Sequence, residues 1–156
     1  MITNSVLSDA INKHGVSRES LLPVLQYVIS KEQWLKEETM EKVAQAFGMS
    51  AAEVYGVATF YSFLDTEPRG RYVIRVCRTI SCDMAGKKEI IESLKNELRV
   101  KTGETTADGM FTLLETNCMG WCHKGPAMLV NDDVFTELTP DKAVAVIHEY
   151  RKKSKQ

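Results

Sequence analysis

Two short stretches, Cys77-Arg-Thr-Ile-Ser-Cys82 and Cys118-Met-Gly-Trp-Cys122, decide how this chain is organised. They contain all four cysteines of the protein, with four residues between the first two cysteines and three between the second two. The 35 residues between the pairs have the pattern of a helix followed by a strand, so a compact fold can bring both loops to one end of the molecule. Four thiols with none left over predict a Cys₄ metal site.

Length and composition place few limits on the partners of the protein. A chain of 156 residues is long enough for one domain, or for one domain with an extension. With 44% apolar residues, 26% charged residues and a net charge of −1, it gives no argument for binding nucleic acid or an anionic membrane. The N-terminus lacks the pattern of a signal peptide, and no apolar stretch approaches the ~20 residues that span a bilayer. We therefore expect a cytoplasmic protein without membrane insertion, where reduced thiols favour a metal site over disulfides.

Residues 1–66 predict an N-terminal helical bundle. Apolar side chains recur there with helical spacing, separated by start and stop signals. The first helix is expected to end near Gly15, and the third, about 36–47, to stop at Gly48. The second is expected to be capped by Ser17 or Ser20 and to bury Leu22, Leu25, Val28 and Ile29. The fourth is expected to begin with the capping box Ser50-Ala-Ala-Glu53 and to bury Val54, Val57, Ala58 and Tyr61.

Beyond the turn-forming segment 65–70 the periodicity changes to that of short strands. Strands are predicted at 71–76, 110–114, 127–130 and about 134–138. Helices are predicted at about 85–98 and from Thr139-Pro140-Asp141 onward. This β-α-β-β-α order predicts an α/β (α+β) domain over residues 71–152, with a sheet of about four strands and helices packed on it. Both cysteine pairs follow strands directly, so they can meet beyond the strand ends.

The cysteine spacing favours a 2Fe–2S cluster. Each of its two irons needs two terminal ligands, for which thiolates are suited, and one pair per loop matches that need. Structural zinc stays open as an alternative, because it also takes four thiolates at similar spacings. A redox-active disulfide is disfavoured because neither pair is Cys-x-x-Cys. A Rieske-like centre using His123 is disfavoured because four cysteines are already available.

Residues beside the cysteines have two interpretations each. Trp121 either shields the site or docks a partner, or it simply packs. Arg78 and Lys124 either steady the negative charge of a cluster or bind an acidic partner, or they are ordinary solvated charges. The chain has no Gly-rich nucleotide fingerprint and no paired acids for acid–base chemistry, so we expect neither a nucleotide site nor catalytic residues on it.

Several longer motifs carry a resemblance to a known family. They are Leu21-Leu-Pro-Val-Leu25, Ser50-Ala-Ala-Glu-Val-Tyr-Gly-Val-Ala-Thr-Phe-Tyr-Ser62, Tyr72-Val-Ile-Arg-Val-Cys77, Gly103-Glu-Thr-Thr-Ala-Asp-Gly109 and Pro126-Ala-Met-Leu-Val-Asn131. Over roughly residues 18–150 the chain resembles the 24-kDa (E-type) subunit family of NADH dehydrogenases. Its relatives are the small subunits of NAD-linked formate dehydrogenases and of iron-only, electron-bifurcating hydrogenases.

The resemblance implies a thioredoxin-like 2Fe–2S ferredoxin domain with a mixed sheet at residues 71–152, which follows the helical bundle in the sequence. It implies that one cluster is held by Cys77, Cys82, Cys118 and Cys122. It further implies a flavoprotein partner subunit carrying FMN and the NAD(H) site, and another iron–sulfur catalytic subunit. The chain would then be inactive alone and would exchange single electrons with the FMN.

The surroundings of the cysteines look more similar to a hydrogenase-type, electron-bifurcating complex than to a formate dehydrogenase or a respiratory NADH dehydrogenase. Two alternatives are a freestanding thioredoxin-like ferredoxin and a zinc-stapled interaction module.

Overall fold

The computed structural model describes residues 4–154, and the chain divides into two compact units, one up to Pro68 and one from Arg69 onward. The first unit contains α1 (Asn4–His14), a 3₁₀ turn (Arg18–Ser20), α2 (Leu21–Glu32), α3 (Glu37–Phe47) and α4 (Ala51–Phe60). The second contains β1 (Tyr72–Cys77), α5 (Ile80–Met84), α6 (Lys87–Leu98), β2 (Phe111–Thr116), a 3₁₀ turn (Cys122–Lys124), β3 (Met128–Val130), β4 (Asp133–Phe135) and α7 (Pro140–Lys153).

The helices of the first unit begin and end largely where the sequence signals predict. Gly15 and Gly48 have φ values of +80° and +62°, the left-handed conformation that ends α1 and α3. At the start of α4 the Ser50 hydroxyl accepts from the Glu53 backbone N–H at 3.3 Å, and the Glu53 carboxylate accepts from the Ser50 N–H at 3.0 Å. The predicted capping box is confirmed. The apolar faces enclose a core that includes Ala10, Val24, Leu25, Val28, Leu35, Val43, Val54 and Ala58.

Three expectations for this unit are wrong. Ser20 does not cap α2, because its hydroxyl donates to the His14 carbonyl at 2.6 Å and a 3₁₀ turn leads into the helix instead. The α2 residues in the core are accordingly Leu21, Val24, Leu25 and Val28, and the predicted Leu22 and Ile29 are half-buried. On the predicted face of α4, Val57 is half-buried, and Tyr61 is exposed since the backbone leaves the helix there with φ −92° and ψ 112°.

The second unit is built on a four-stranded mixed sheet with the order β2-β1-β3-β4. Strand β1 is parallel to β2 and antiparallel to β3, and β4 is antiparallel to β3. Alternate strand residues, among them Ile74, Val76 and Leu113, form one core with the apolar faces of α6 and α7. Burial of each such large side chain contributes about 1.5–3 kcal/mol relative to exposure. The predicted α/β sheet with packed helices is confirmed.

The boundaries of several elements differ from the predictions. Helix α6 starts at Lys87 rather than near residue 85, because Gly86 with φ +100° separates it from the unpredicted short helix α5. Strand β2 runs on to Thr116, whereas β4 stops at Phe135, two residues before Glu137 adopts φ +50°. Within residues 4–154, no helix is both long enough and apolar enough to cross a membrane.

Candidate metal centre

The parallel pairing of β1 and β2 brings the two cysteine loops to one edge of the sheet. Cys77 is the last residue of β1 and is in register with Thr116, the last residue of β2. The Arg78 backbone N–H continues the ladder by donating to the Thr116 carbonyl at 2.8 Å. Cys118 comes two residues after Thr116. Because parallel strands end at the same edge, both loops must leave the sheet side by side.

The first cysteine pair is buried. Cys77 and Cys82 are 2% and 1% exposed, and α5 places Cys82 against the end of β1. The Sγ atom of Cys77 lies 3.1 Å from the Thr79 hydroxyl oxygen. The first pair is thus held inside the fold, with a hydroxyl group against one of its sulfurs.

The second cysteine pair is exposed and lies on a tight loop. The Sγ atoms of Cys118 and Cys122 are 3.1 Å apart. Between them, Gly120 has φ +85° and its N–H donates to the Cys118 sulfur at 3.4 Å. Only glycine adopts this conformation without a steric cost, so Gly120 allows the loop to turn both sulfurs the same way. Cys122 then begins a short 3₁₀ turn.

The two pairs are close enough to influence each other. A Cβ atom built on Gly125, just after the second pair, would lie 3.4 Å from the Cys82 sulfur. Burial, then the hydrogen bond and charge of Cys77, and last the charge of a Cys122 thiolate raise the pKa of Cys82. Both predicted pairs therefore lie on the loops that leave the same edge of the sheet. No group of three or more His, Cys, Asp or Glu within the described part of the chain is arranged to hold a single metal ion.

The thiols differ in how readily they ionise. Burial raises the pKa of Cys77, but the hydrogen bonds from Thr79, Cys82 and Met119 outweigh it and leave that pKa below its ordinary value. Burial is the largest cause of the raised pKa of Cys82. The hydrogen bond with Cys118 and the charge of that neighbour raise the pKa of Cys122. Metal binding must therefore displace protons from these thiols, which couples it to pH.

The residues flanking the cysteines differ in their contacts and exposure. Arg78 is not simply solvated, because its Nε donates to the Asn117 side-chain oxygen at 3.0 Å and so links the two cysteine loops. Trp121, 37% exposed, stacks on His123 with ring centroids 6.0 Å apart and an interplanar angle of 25°. Lys124 is exposed.

Two features of the site were missed at the level of sequence. One is the Thr79 contact with the Cys77 sulfur, for which the only signal was a helix-capping residue two positions after a cysteine. The other is an ion-pair cluster in which the Lys87 ammonium lies 3.1 Å from Glu115 and 3.6 Å from Asp83. Lys87 thus ties the residue after Cys82 to strand β2. Its partners are 4 and 28 residues away, and nothing in the sequence predicts the second.

A sequence model of the thioredoxin-like [2Fe-2S] ferredoxin family matches residues 7–151. The chain belongs to this family. Its cofactor is a 2Fe–2S cluster, and the thioredoxin-like fold expected from the resemblance is confirmed. Four free thiols fit such a cluster, because they supply soft ligands in two pairs, one for each iron.

Relatives with assigned names cover most of this ferredoxin. The E subunit of the NADH-quinone oxidoreductase of Escherichia coli (strain K12) is 37% identical over 134 residues, which are 86% of this chain and 81% of that protein. NADH-quinone oxidoreductase subunit 2 of Thermus thermophilus is 38% identical over 120 residues, or 77% of this chain and 66% of that one. The resemblance to the E-type subunits is confirmed.

Among solved structures, an NAD+-reducing [NiFe]-hydrogenase in the air-oxidized state is similar to the ferredoxin, with a TM-score of 0.73 and 25% identity. The match covers 85% of this chain. It spans only 23% of the hydrogenase chain, so most of that chain has no counterpart here.

Proposed function

We propose that this ferredoxin is an electron-transfer subunit of a multi-subunit NAD(H)-dependent oxidoreductase, with Cys77, Cys82, Cys118 and Cys122 as the ligands of one 2Fe–2S cluster. The observation that supports the proposal is the placement of four free thiols, in two pairs, on the loops that follow two parallel strands. Each loop supplies two thiolates, which is the requirement of one iron of the cluster. The cluster, when bound, supplies one-electron transfer.

The residues of the chain then have distinct tasks. The fold keeps water from Cys77 and Cys82, and backbone N–H groups stabilise the sulfur charges. Cys118 and Cys122 lie on the exposed side, where a partner can approach. No acid–base machinery is needed, because only electrons move. The domain over residues 71–152 is thus sufficient to hold the cluster, and the chain alone is catalytically inert.

The partners we propose are a flavoprotein subunit with FMN and the NAD(H) site, and a further iron–sulfur catalytic subunit. The similarity to named subunits of an NADH-quinone oxidoreductase and to an NAD+-reducing hydrogenase supports an NAD(H)-linked complex. An electron-bifurcating hydrogenase is our first choice of parent complex, followed by a formate dehydrogenase and a respiratory NADH dehydrogenase. We place the complex in the cytoplasm.

The helical bundle at residues 1–66 is proposed to dock the flavoprotein subunit. Helix α4 and the residue after it expose three aromatic side chains, namely Tyr55, Phe60 and Tyr61, which are 52%, 79% and 42% exposed. Phe60 and Tyr61 also line a cavity of about 460 Å³ together with Leu22 and Val57. Exposed aromatic groups beside an apolar cavity are typical of protein interfaces.

The cluster assignment is tested by anaerobic reconstitution. Two irons and two sulfides per chain, with a rhombic EPR signal on reduction by dithionite, are expected, and serine at any one of the four cysteines should reduce the cluster content or alter the signal. A colourless protein with one zinc would instead mean a structural staple.

The partner assignment is tested by adding NADH to the loaded protein with and without the flavoprotein subunit of each candidate complex. Reduction of the cluster is expected only when the correct flavoprotein is present. Phe60→Asp should weaken that transfer, whereas Val134→Asp puts the same charge on an exposed apolar residue of β4 as a control. Electron transfer by the chain as an isolated monomer or homodimer, with no response to any flavoprotein, would favour a freestanding ferredoxin.

A further inference from the structure

The Thr79 side chain is placed to act on the cluster rather than on the helix that it precedes. Thr79 occupies the N-cap position of α5, with φ −75° and ψ 160°. A threonine at such a position commonly accepts a hydrogen bond from a backbone N–H of the first helical turn. Here its hydroxyl makes no such bond and lies 3.1 Å from the Cys77 sulfur.

The direction of this hydrogen bond is fixed once the site is loaded. Between a thiol and a hydroxyl, either group can be the donor. A cysteine that binds iron is deprotonated and has no hydrogen to give. In the loaded protein the Thr79 hydroxyl must therefore donate and the Cys77 sulfur must accept.

Resting on the proposed ligand set, we propose that Thr79 is a positioning residue whose hydroxyl hydrogen bonds to the Cys77 ligand and raises the reduction potential of the cluster. Reduction adds one electron and hence one negative charge to the cluster and its sulfurs. A donor aimed at a ligand sulfur stabilises the more negative state more strongly than the oxidised one. The hydroxyl therefore favours reduction.

The surroundings of Cys77 strengthen this effect. Cys77 is 2% exposed, so water does not compete for its sulfur as it does at the exposed pair. In a poorly solvated environment a hydrogen bond is electrostatically stronger than in water. A side-chain substitution at Thr79 removes the hydroxyl and leaves the backbone of the loop in place. The contribution of the hydroxyl can thus be isolated by mutation.

The test compares Thr79→Val, which keeps the shape and removes the donor, with Thr79→Ser, which keeps the donor. Ser81→Ala is the matched control, because it removes an exposed hydroxyl from the same short helix. Each full-length variant is reconstituted anaerobically. Its potential is measured by EPR-monitored redox titration, and its iron–sulfur stretching bands are recorded by resonance Raman spectroscopy.

Thr79→Val is expected to lower the potential, with a fall in the equilibrium constant for reduction of up to about tenfold, or about 59 mV for one electron. Thr79→Ser and Ser81→Ala should stay close to the wild-type potential. The stretching bands should shift in Thr79→Val alone.

An unchanged potential in fully loaded Thr79→Val would overturn the proposal, as would an equal shift in Thr79→Ser, which would mean that the methyl group matters. If Thr79→Val and Thr79→Ala both fail to hold the cluster while Thr79→Ser holds it, Thr79 is needed to build the loop, and a role confined to the potential is wrong. Failure of the proposed ligand set is distinguishable, because the wild-type protein would then lack the 2Fe–2S spectrum altogether.

Discussion

Gly120, the turn residue between the exposed cysteines, offers the sharpest test of how the second loop holds its part of the cluster. Its φ of +85° is costly for any residue with a Cβ atom, by about 1–2 kcal/mol. A Cβ atom built there meets no other atom within 4 Å, so Gly120→Ala adds backbone strain and no clash. The strain is relieved only if the loop opens and separates the sulfurs of Cys118 and Cys122.

The backbone strain in Gly120→Ala should increase the rate at which the cluster is lost. A cost of about 1–2 kcal/mol raises the population of the open loop by about fivefold to thirtyfold, because each 1.4 kcal/mol is a factor of ten. If iron leaves through the open loop, a chelator should remove it from Gly120→Ala faster by the same factor. The measurement is the decay of the visible absorption of the anaerobically loaded protein in the presence of the chelator.

Gly103 supplies the matched control. Its φ is +97°, and a Cβ atom there also meets nothing within 4 Å, so alanine imposes a similar strain in the same unit. Its N–H donates to the Leu113 carbonyl at 2.7 Å, which ties its loop to β2 rather than to the cysteines. Gly103→Ala should lower the free energy of unfolding by about 1–2 kcal/mol and leave iron release unchanged. Equal acceleration in both variants, or none in Gly120→Ala, would refute this reasoning.

Three further perturbations test the framework around the site. Gly70→Ala should destabilise the cluster-binding unit by about 1–3 kcal/mol in denaturant unfolding, because its Cβ would lie 2.9 Å from the backbone at the start of β2; unaltered stability would contradict the tight pairing. Lys87→Met should cost up to about 1 kcal/mol by removing the ion pairs with Glu115 and Asp83, whereas Lys88→Met, with a side chain 78% exposed, should cost less. The hydrogen bonds of the capping box, chiefly the one from the Ser50 backbone, lower the pKa of Glu53. The stability that the Glu53 carboxylate contributes is therefore present above its pKa in the unfolded chain and is lost as the pH falls through its pKa in the folded protein. Glu53→Gln should make the stability of the helical unit less dependent on pH at the acid side, as measured by unfolding followed by circular dichroism.

The sequence predicted those features that depend on local signals. The stop at Gly48 and the capping box of Ser50 and Glu53 are encoded by neighbouring residues, and the structure confirms them. The strand that delivers Cys77 was predicted for the same reason, because a short β-branched run needs no distant partner to be recognised. The prediction of a metal site at the four cysteines rests on residue type and spacing, which are also local signals.

The missed features all depend on contacts between distant or competing groups. Ser20 has the right side chain for a cap, but the His14 carbonyl takes its hydroxyl instead. Helix α5 is too short to have a periodic pattern, and Gly86 separates it from α6. The partnership of Lys87 with Glu115 spans 28 residues and depends on where β2 lies.

The identity of the cofactor depends on local sequence signals, whereas its reduction potential depends on contacts that the fold creates. Four soft ligands in two pairs suit iron and sulfide but also zinc, and membership of the family decides between them, so the cofactor can be predicted from the cysteines and their family. The potential depends on which donors reach which sulfur, and in this fold the Cys77 sulfur lies beside the Thr79 hydroxyl of its own loop. The exposed pair instead faces solvent and has the Gly120 N–H as a donor to Cys118. Two proteins with identical cysteine spacing can therefore hold the same cluster at different potentials, because residues such as Thr79 act only through the geometry that the fold provides.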